Sequence, residues 1–480
     1  MQQRFAPAIA ANRFGLGCRP GELARIGNDP RGWLEHQLTG GTVSLPGENL
    51  TSSAEILRKV LGLREEFRAA RRRAAAAMNA SATEEGQPRA DPDLPKLLKL
   101  PGIYRPIYVA EVTARVREAV TTERSFVERL THFWTNHFAV SVDKIAVLGL
   151  AGSLEREAIR PHVLGRFVDM LLAVERHPAM LLYLDNHLSV GPNSRAARAV
   201  AKRRSGDRQL GINENLAREI LELHTLGVNG GYTQADVTAL AQVITGWSIG
   251  GEFGRLKRGT PGEFVFRPEL HEPGAKRVLG KRYADDGYEQ GVAVLRDLAA
   301  NRATASFIAT KLARHFIADD PPQSAVERLK RAYLESDGDL PTVYRALIAS
   351  PEAWREPFAK YKTPADYIFS TFRGLELPVE AGNATVLPFE LLGQRTYGPG
   401  SPAGWPDRSA DWDGASALMK RIEWADAIGE RLGSTRNAER LAPAILGETL
   451  SSATRTAIAR AASASQALTL LLTSPEFLRR

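Results

Sequence analysis

The chain has 480 residues, with 63 Lys and Arg against 55 Asp and Glu and a net charge of +8. The near-balance of charge and the lack of any DNA-binding motif put nucleic-acid binding last among the functions considered. The single cysteine, Cys18, excludes a disulfide within the chain and a Cys-based zinc site. No apolar run has the length of a membrane span. The opening residues MQQRFAPAIAANRFGLG lack the apolar core of a secretory signal, so a cytoplasmic location is the default expectation.

In chain order, residues 8–16 lead into a turn at Gly17, Arg19, Pro20 and Gly21. Residues 22–38 and 52–79 read as helices. Arg68, Arg71, Arg72 and Arg73 form a basic patch on the second, expected to be a solvated face. Residues 81–95 are polar, acidic and Pro-containing, and predict a flexible loop. Helices follow at 103–121 and 123–138. The second ends RLTHFWTNHFAVS, and its Phe133, Trp134 and Phe138 suit a crowded core. His132 and His137 do not share a helical face; Asn136 lies under His132 instead. A helix at 154–164, the stretch 165–174 and a short helix from His177-Pro178 to Leu184 come next. The basic run 194–208 has no interleaved aromatics, so it predicts a mobile surface loop and a poor single-strand binder.

The densest set of chemical side chains lies in 213–247, NENLAREILELHTLGVNGGYTQADVTALAQVITGW. A helix through the acidic residues should end near Gly227. Thr233, with Asp236 three residues on, caps a second helix, so the stretch is a helical hairpin. At about 100° per residue, Asn215, Glu219 and Glu222 fall on one arc beside Arg218. That arc is either a solvated acidic face or a pair of carboxylates facing a site. His224 points among apolar neighbours and is expected to be a buried, hydrogen-bonded core residue.

Phe264-Val265-Phe266 alternates into a strand, and 276–279 with Gly280 should form the second strand of a small hairpin. His271, in the turn His271-Glu272-Pro273-Gly274, sits where loops carry function. Helices are expected at 303–318, 324–335, 340–349, 364–375, 415–432 and 452–472. The first of these contains Lys311, Arg314 and His315. Residues 393–412 form a long Pro/Gly loop whose Tyr397, Trp405 and Trp412 favour a packed lid. The fold class is mainly α: a multi-helix globular bundle of helical hairpins with one small β-hairpin. One domain spans 1–480, with N-terminal helices to 80, a flexible loop at 81–100, a core with the candidate site at 101–375, and the Pro/Gly loop and C-terminal helices at 376–480.

The sharpest chemical expectation is a metal-dependent enzyme, a hydrolase or an oxidoreductase. Its proposed ligands to a divalent ion are His137, Glu219, Glu222 and His271, with Asn215 nearby. Zn, Mn and Fe all suit mixed imidazole and carboxylate donors. Glu214, Arg218 and His315 are the candidate catalytic residues, and Lys311, Arg314 and His315 are placed to hold a small or anionic substrate. No HExxH or Walker signature is present.

Several stretches together resemble a bacterial family catalogued as domain of unknown function 1800. They are Ala10-Ala-Asn-Arg-Phe-Gly-Leu-Gly17, Phe133-Trp-Thr-Asn-His-Phe138, Asn213-Glu-Asn-Leu-Ala-Arg-Glu219 through Gly231, His271-Glu-Pro-Gly274, Gly404-Trp-Pro-Asp407 and Ser474-Pro-Glu-Phe477. The resemblance covers nearly the whole chain. It implies a mostly helical protein of unknown activity, in a family whose members often look exported. Their genes often lie beside those of a family similar to alkaline phosphatases and sulfatases. The alternative function is therefore a non-catalytic binding or maturation partner of such a protein, with the ligand-like residues serving as a buried polar network. Asn136 and His137 match the family's FWxNHF pattern. Position 135 is often His there and is Thr135 here.

Overall fold

Short polar residues write several of the helix starts. Asp29, Thr233, Asn301, Asp339, Thr363, Ser451 and Ser463 each accept a hydrogen bond from a backbone N–H of the helix they precede, satisfying donors a helix leaves free at its start. In the computed structural model, which describes residues 2–41, 44–45, 50–81, 100–203, 211–251, 258–355 and 358–480, Thr233 and Asp236 form the expected capping box. Two long helical expectations break at such caps. Residues 22–38 are two helices, Glu22–Ile26 and Pro30–Gln37, divided by Gly27 at φ 57° and the cap Asp29. Residues 452–472 are Ser452–Ala459 and Ala464–Leu472, the second capped by Ser463.

The described residues are mainly helical, with two small antiparallel two-stranded sheets. The expected partner of Phe264–Phe266 is corrected. This strand pairs with Trp247–Ile249, Trp247 opposite Phe266. Lys276–Val278 pairs with Lys281–Tyr283 across a tight turn in which Leu279 and Gly280 both have positive φ, 49° and 77°, the backbone that short hairpins favour. Three-residue strands carry too little pattern to name a partner. A second correction concerns 194–208, expected as a mobile loop. Its first part is a helix, Arg195–Arg203, anchored by Ala196 N–H donating to the Glu269 carbonyl. The remainder from 204, and the expected flexible stretch from 82 to 95, lie outside the described residues. Arg68, Arg72 and Arg73 are exposed on helix Ser53–Ser81, as a solvated face requires.

A continuous apolar cluster runs from Ile9 to Leu478. Trp134, fully buried, donates from its indole to Tyr344 Oη at 2.6 Å. Three helical segments widen to i→i+5 bonding: Ala10–Phe14, Glu155–Ile159 and Ile220–Thr225. Such turns are uncommon and recur near functional sites. The last lies inside the central hairpin and winds less per residue than an α-helix, so the even angular spacing assumed for Glu219, Glu222 and His224 does not hold there. No helix among the described residues is long and apolar enough to cross a membrane.

Candidate functional site

The residues named from the sequence fall in separate surroundings. His137 is buried, and its Nε2 lies 3.1 Å from the His224 carbonyl oxygen, inside a box of Phe133, Trp134, Phe138, Phe167 and Phe307. His224 is fully buried, its Nδ1 2.7 Å from Glu175, the core position its arc implied. Glu222 accepts from Tyr232 Oη at 3.0 Å. Glu219 is half-buried, and burial pushes its carboxyl up. Glu214 accepts from Thr238 and Gln234 and lies 3.3 Å from Arg218, so this pair fastens the hairpin. Asn215 is exposed. His271 lies against Phe266, its Nδ1 3.0 Å from the Thr245 carbonyl oxygen. The neighbouring Glu272 accepts two hydrogen bonds from Asn193. Among the described residues no three or more His, Cys, Asp and Glu side chains are grouped to hold a metal ion. His137, Glu219, Glu222 and His271 are thus not gathered into one donor set among the described residues.

Chemistry is gathered elsewhere, in a cleft of about 100 Å³. Helices Leu100–Thr121, Ser125–His137, Arg302–Phe316 and Pro364–Gly374 supply its walls, and the 393–412 loop covers it. The loop is a strap tied at several points. Asn136 grips Trp405 twice, donating to its carbonyl at 2.9 Å and accepting from its N–H at 2.7 Å. Tyr108 Oη donates to the Thr396 carbonyl, and Val142 N–H to that of Tyr397. Lys360 Nζ donates to the Asp407 carbonyl at 2.5 Å, and Ser409 N–H to Asp319. Gly404 must be glycine: its φ is +81°, and a Cβ there would stand 2.3 Å from the Asn136 carbonyl oxygen. Tyr397 and Trp412 are buried, so the aromatics do pack the loop as a lid.

Under the strap, His315 and Asp407 face each other, Nδ1 to Oδ1 at 3.5 Å, with side chains 15% and 19% exposed. His315 Nε2 is buried and has no hydrogen-bond partner among the described residues. Burial pushes the His315 imidazole down to about 4, against the pull of Asp407. Burial raises the Asp407 carboxyl, but His315 and Lys311 outweigh it and hold it down at about 2. At neutral pH the pair is a neutral imidazole beside a carboxylate.

Behind the cleft runs a buried ionic chain. Arg160 donates to both Glu128 oxygens at 2.6 and 2.7 Å and to Glu155 at 2.8 Å. Burial pushes the Glu128 carboxyl up, but Arg160 outweighs this and holds it well below the usual range. His132 Nε2 stands 3.1 Å from Glu128, and Thr135 and Tyr397 hydroxyls reach Glu155 at 3.0 and 3.2 Å. Glu155 starts one of the wide turns. Tyr397, a bulky residue at φ 55°, holds an uncommon backbone state of the kind found at functional sites. A second group places Asp366 between Arg129 and Arg480, each at 2.9 Å.

Of the residues named from the sequence, the cleft includes His315; Lys311 adds its charge behind Asp407. Arg115, Arg129, His132 and Asp366 also line the cleft and were not named as site residues from the sequence. The one local signal was the shared face of His132 and Asn136, both of which line the cleft.

Fold and site together define a mainly α protein with a strap-covered cleft among its described helices. The chain matches the family model described as "Protein of unknown function (DUF1800)" over residues 9–479, and it belongs to that family. No curated protein and no solved structure matches it.

Proposed function

We propose that this protein is an enzyme whose active site is the strap-covered cleft, and that His315 moves a proton to or from a small-molecule substrate there. The observation that carries this is the unpartnered, buried Nε2 of His315 on an imidazole whose other nitrogen faces Asp407. A carboxylate at Nδ1 fixes the tautomer with its lone pair on Nε2 and stabilises the imidazolium once a proton arrives. The strap over the cleft limits the water that could compete. A buried polar atom left without a partner costs stability, and a substrate group would meet that need.

The test is consumption of a pool of small organic compounds, followed by NMR, for wild type, His315→Gln and Asp407→Asn. Wild type should consume a compound that His315→Gln leaves untouched, with Asp407→Asn slower by roughly 10²-fold or more. Equal consumption by His315→Gln would remove His315 from the chemistry. A wild type that consumes nothing would favour the non-catalytic partner of a phosphatase- or sulfatase-like protein.

A further inference from the structure

Arg115 is a cleft-lining cation with donors to spare. Its side chain is 13% exposed, its Nε lies 3.1 Å from Glu155, and its guanidinium sits 5.0 Å over the Tyr397 ring. Arg115 pairs with Glu155 by charge, and its buried Nε has no hydrogen-bond partner among the described residues. A guanidinium placed beside a carboxylate and over an aromatic ring keeps donors for a second anion, and its planar fork can receive a carboxylate through two parallel N–H···O bonds.

Charge in the surrounding wall favours an anion. The chain of Glu128, Arg160, Glu155 and Arg115 balances two carboxylates against two guanidiniums. The rest of the wall carries more cations than carboxylates: Asp366 lies between Arg129 and Arg480, with Lys362 acting on it as well, and Asp407 is faced by Lys311 and Lys360. In a cavity screened from water such an excess acts strongly. The remaining wall is apolar, with Phe138, Leu154, Phe369 and Phe389. That wall suits an acid with a short hydrocarbon body and disfavours a bare phosphate, which wants donors on every side. A space of about 100 Å³ admits a small molecule of on the order of seven to ten heavy atoms.

We propose that Arg115 is the seat for the carboxylate of a small organic acid, whose apolar body lies against the phenylalanines under the strap. This rests on the reading of the cleft as the active site, and its test separates the two. Binding of butyrate and benzoate is measured by calorimetry and ligand-observed NMR, beside butyramide and inorganic phosphate. Butyrate should bind and be displaced by benzoate; butyramide should bind at least about tenfold more weakly, and phosphate should not compete. Arg115→Lys, which keeps a cation beside Glu155, should weaken butyrate by roughly tenfold, while Arg72→Gln on the exposed face of Ser53–Ser81 changes nothing. Absence of carboxylate binding at about 20 mM, equal binding of butyramide, preference for phosphate, or full binding by Arg115→Lys would each overturn the proposal. Should Arg115→Lys not fold, the wild-type ranking of the probes decides alone. Carboxylate binding that needs Arg115, with nothing consumed, sinks the proton-transfer reading and leaves this seat standing; consumption independent of Arg115 does the reverse.

Discussion

Arg160 shows how much a single side chain carries here. It is 1% exposed and is shared by two carboxylates that are themselves 1% exposed. Removing one member of such a group strands the others in a low-dielectric interior. Arg160→Leu should destabilise the protein by about 3–5 kcal/mol, read as a fall in the urea midpoint with the slope unchanged. A midpoint within error of wild type would show that Glu128 and Glu155 shed their charges at little cost. His315 gives a pH signature. Its folded value, about 4, lies below the ordinary 6.5, so the folded state binds fewer protons between the two. Stability is therefore full above 6.5, falls as pH falls through that window by up to roughly 3 kcal/mol, and is flat in this respect below about 4. The surrounding charges are Asp407 on the strap, Lys311 on the same helix, and Arg129 and Arg480 behind. His132, His137 and His271 are lowered by burial too and add to the same slope. Melting temperature against pH should therefore fall less steeply for His315→Gln than for wild type; parallel curves would contradict the assignment.

Among the elements, the strap depends on one close approach. Gly404→Ala places a methyl against the Asn136 carbonyl at a positive φ, so the strap must lift or distort. We expect a loss of about 1–3 kcal/mol, together with faster hydrogen exchange at the Trp405 amide, whose acceptor is Asn136 Oδ1. Unchanged exchange at Trp405 would mean that the strap is not held there. The central hairpin is simpler. Thr233→Ala removes the cap on Gln234–Val243 and should cost about 1 kcal/mol. Glu214 remains bonded to Thr238 and Gln234, so the loss should stay confined to stability and leave butyrate binding in the cleft unchanged.

For the whole molecule, we expect folding as one unit. The apolar cluster spans both ends of the chain, and buried ion pairs cross between distant segments. Arg373 donates to Glu22 at 2.9 Å, and Arg480 meets Asp366, itself paired with Arg129. Far-ultraviolet circular dichroism and tryptophan fluorescence should report one coincident thermal transition. Two separated transitions, with a boundary near the strap, would divide the chain into domains.

Local signals are legible in the sequence wherever one residue acts on its near neighbours. Thr233 caps a helix because its hydroxyl reaches a backbone N–H three residues on, and Phe133, Trp134 and Phe138 announce a core by size and spacing. The mainly α class follows from many such signals pointing the same way. The cleft is different in kind. His315 and Asp407, or Arg129 and Asp366, are far apart in the chain and meet only because packed helices bring them together. The partner of strand Phe264–Phe266 was equally hidden, since three residues fit many registers. A wide turn at Ile220–Thr225 shifted the very face on which an acidic site was drawn. The sequence by itself thus determined the mainly α class, the Thr233 cap and the apolar faces, which are properties of short range, but not the breaks at Gly27 and Ser463 or the helix Arg195–Arg203. Tertiary structure alone decided which charges share a low-dielectric space, because that depends on distances no local pattern encodes.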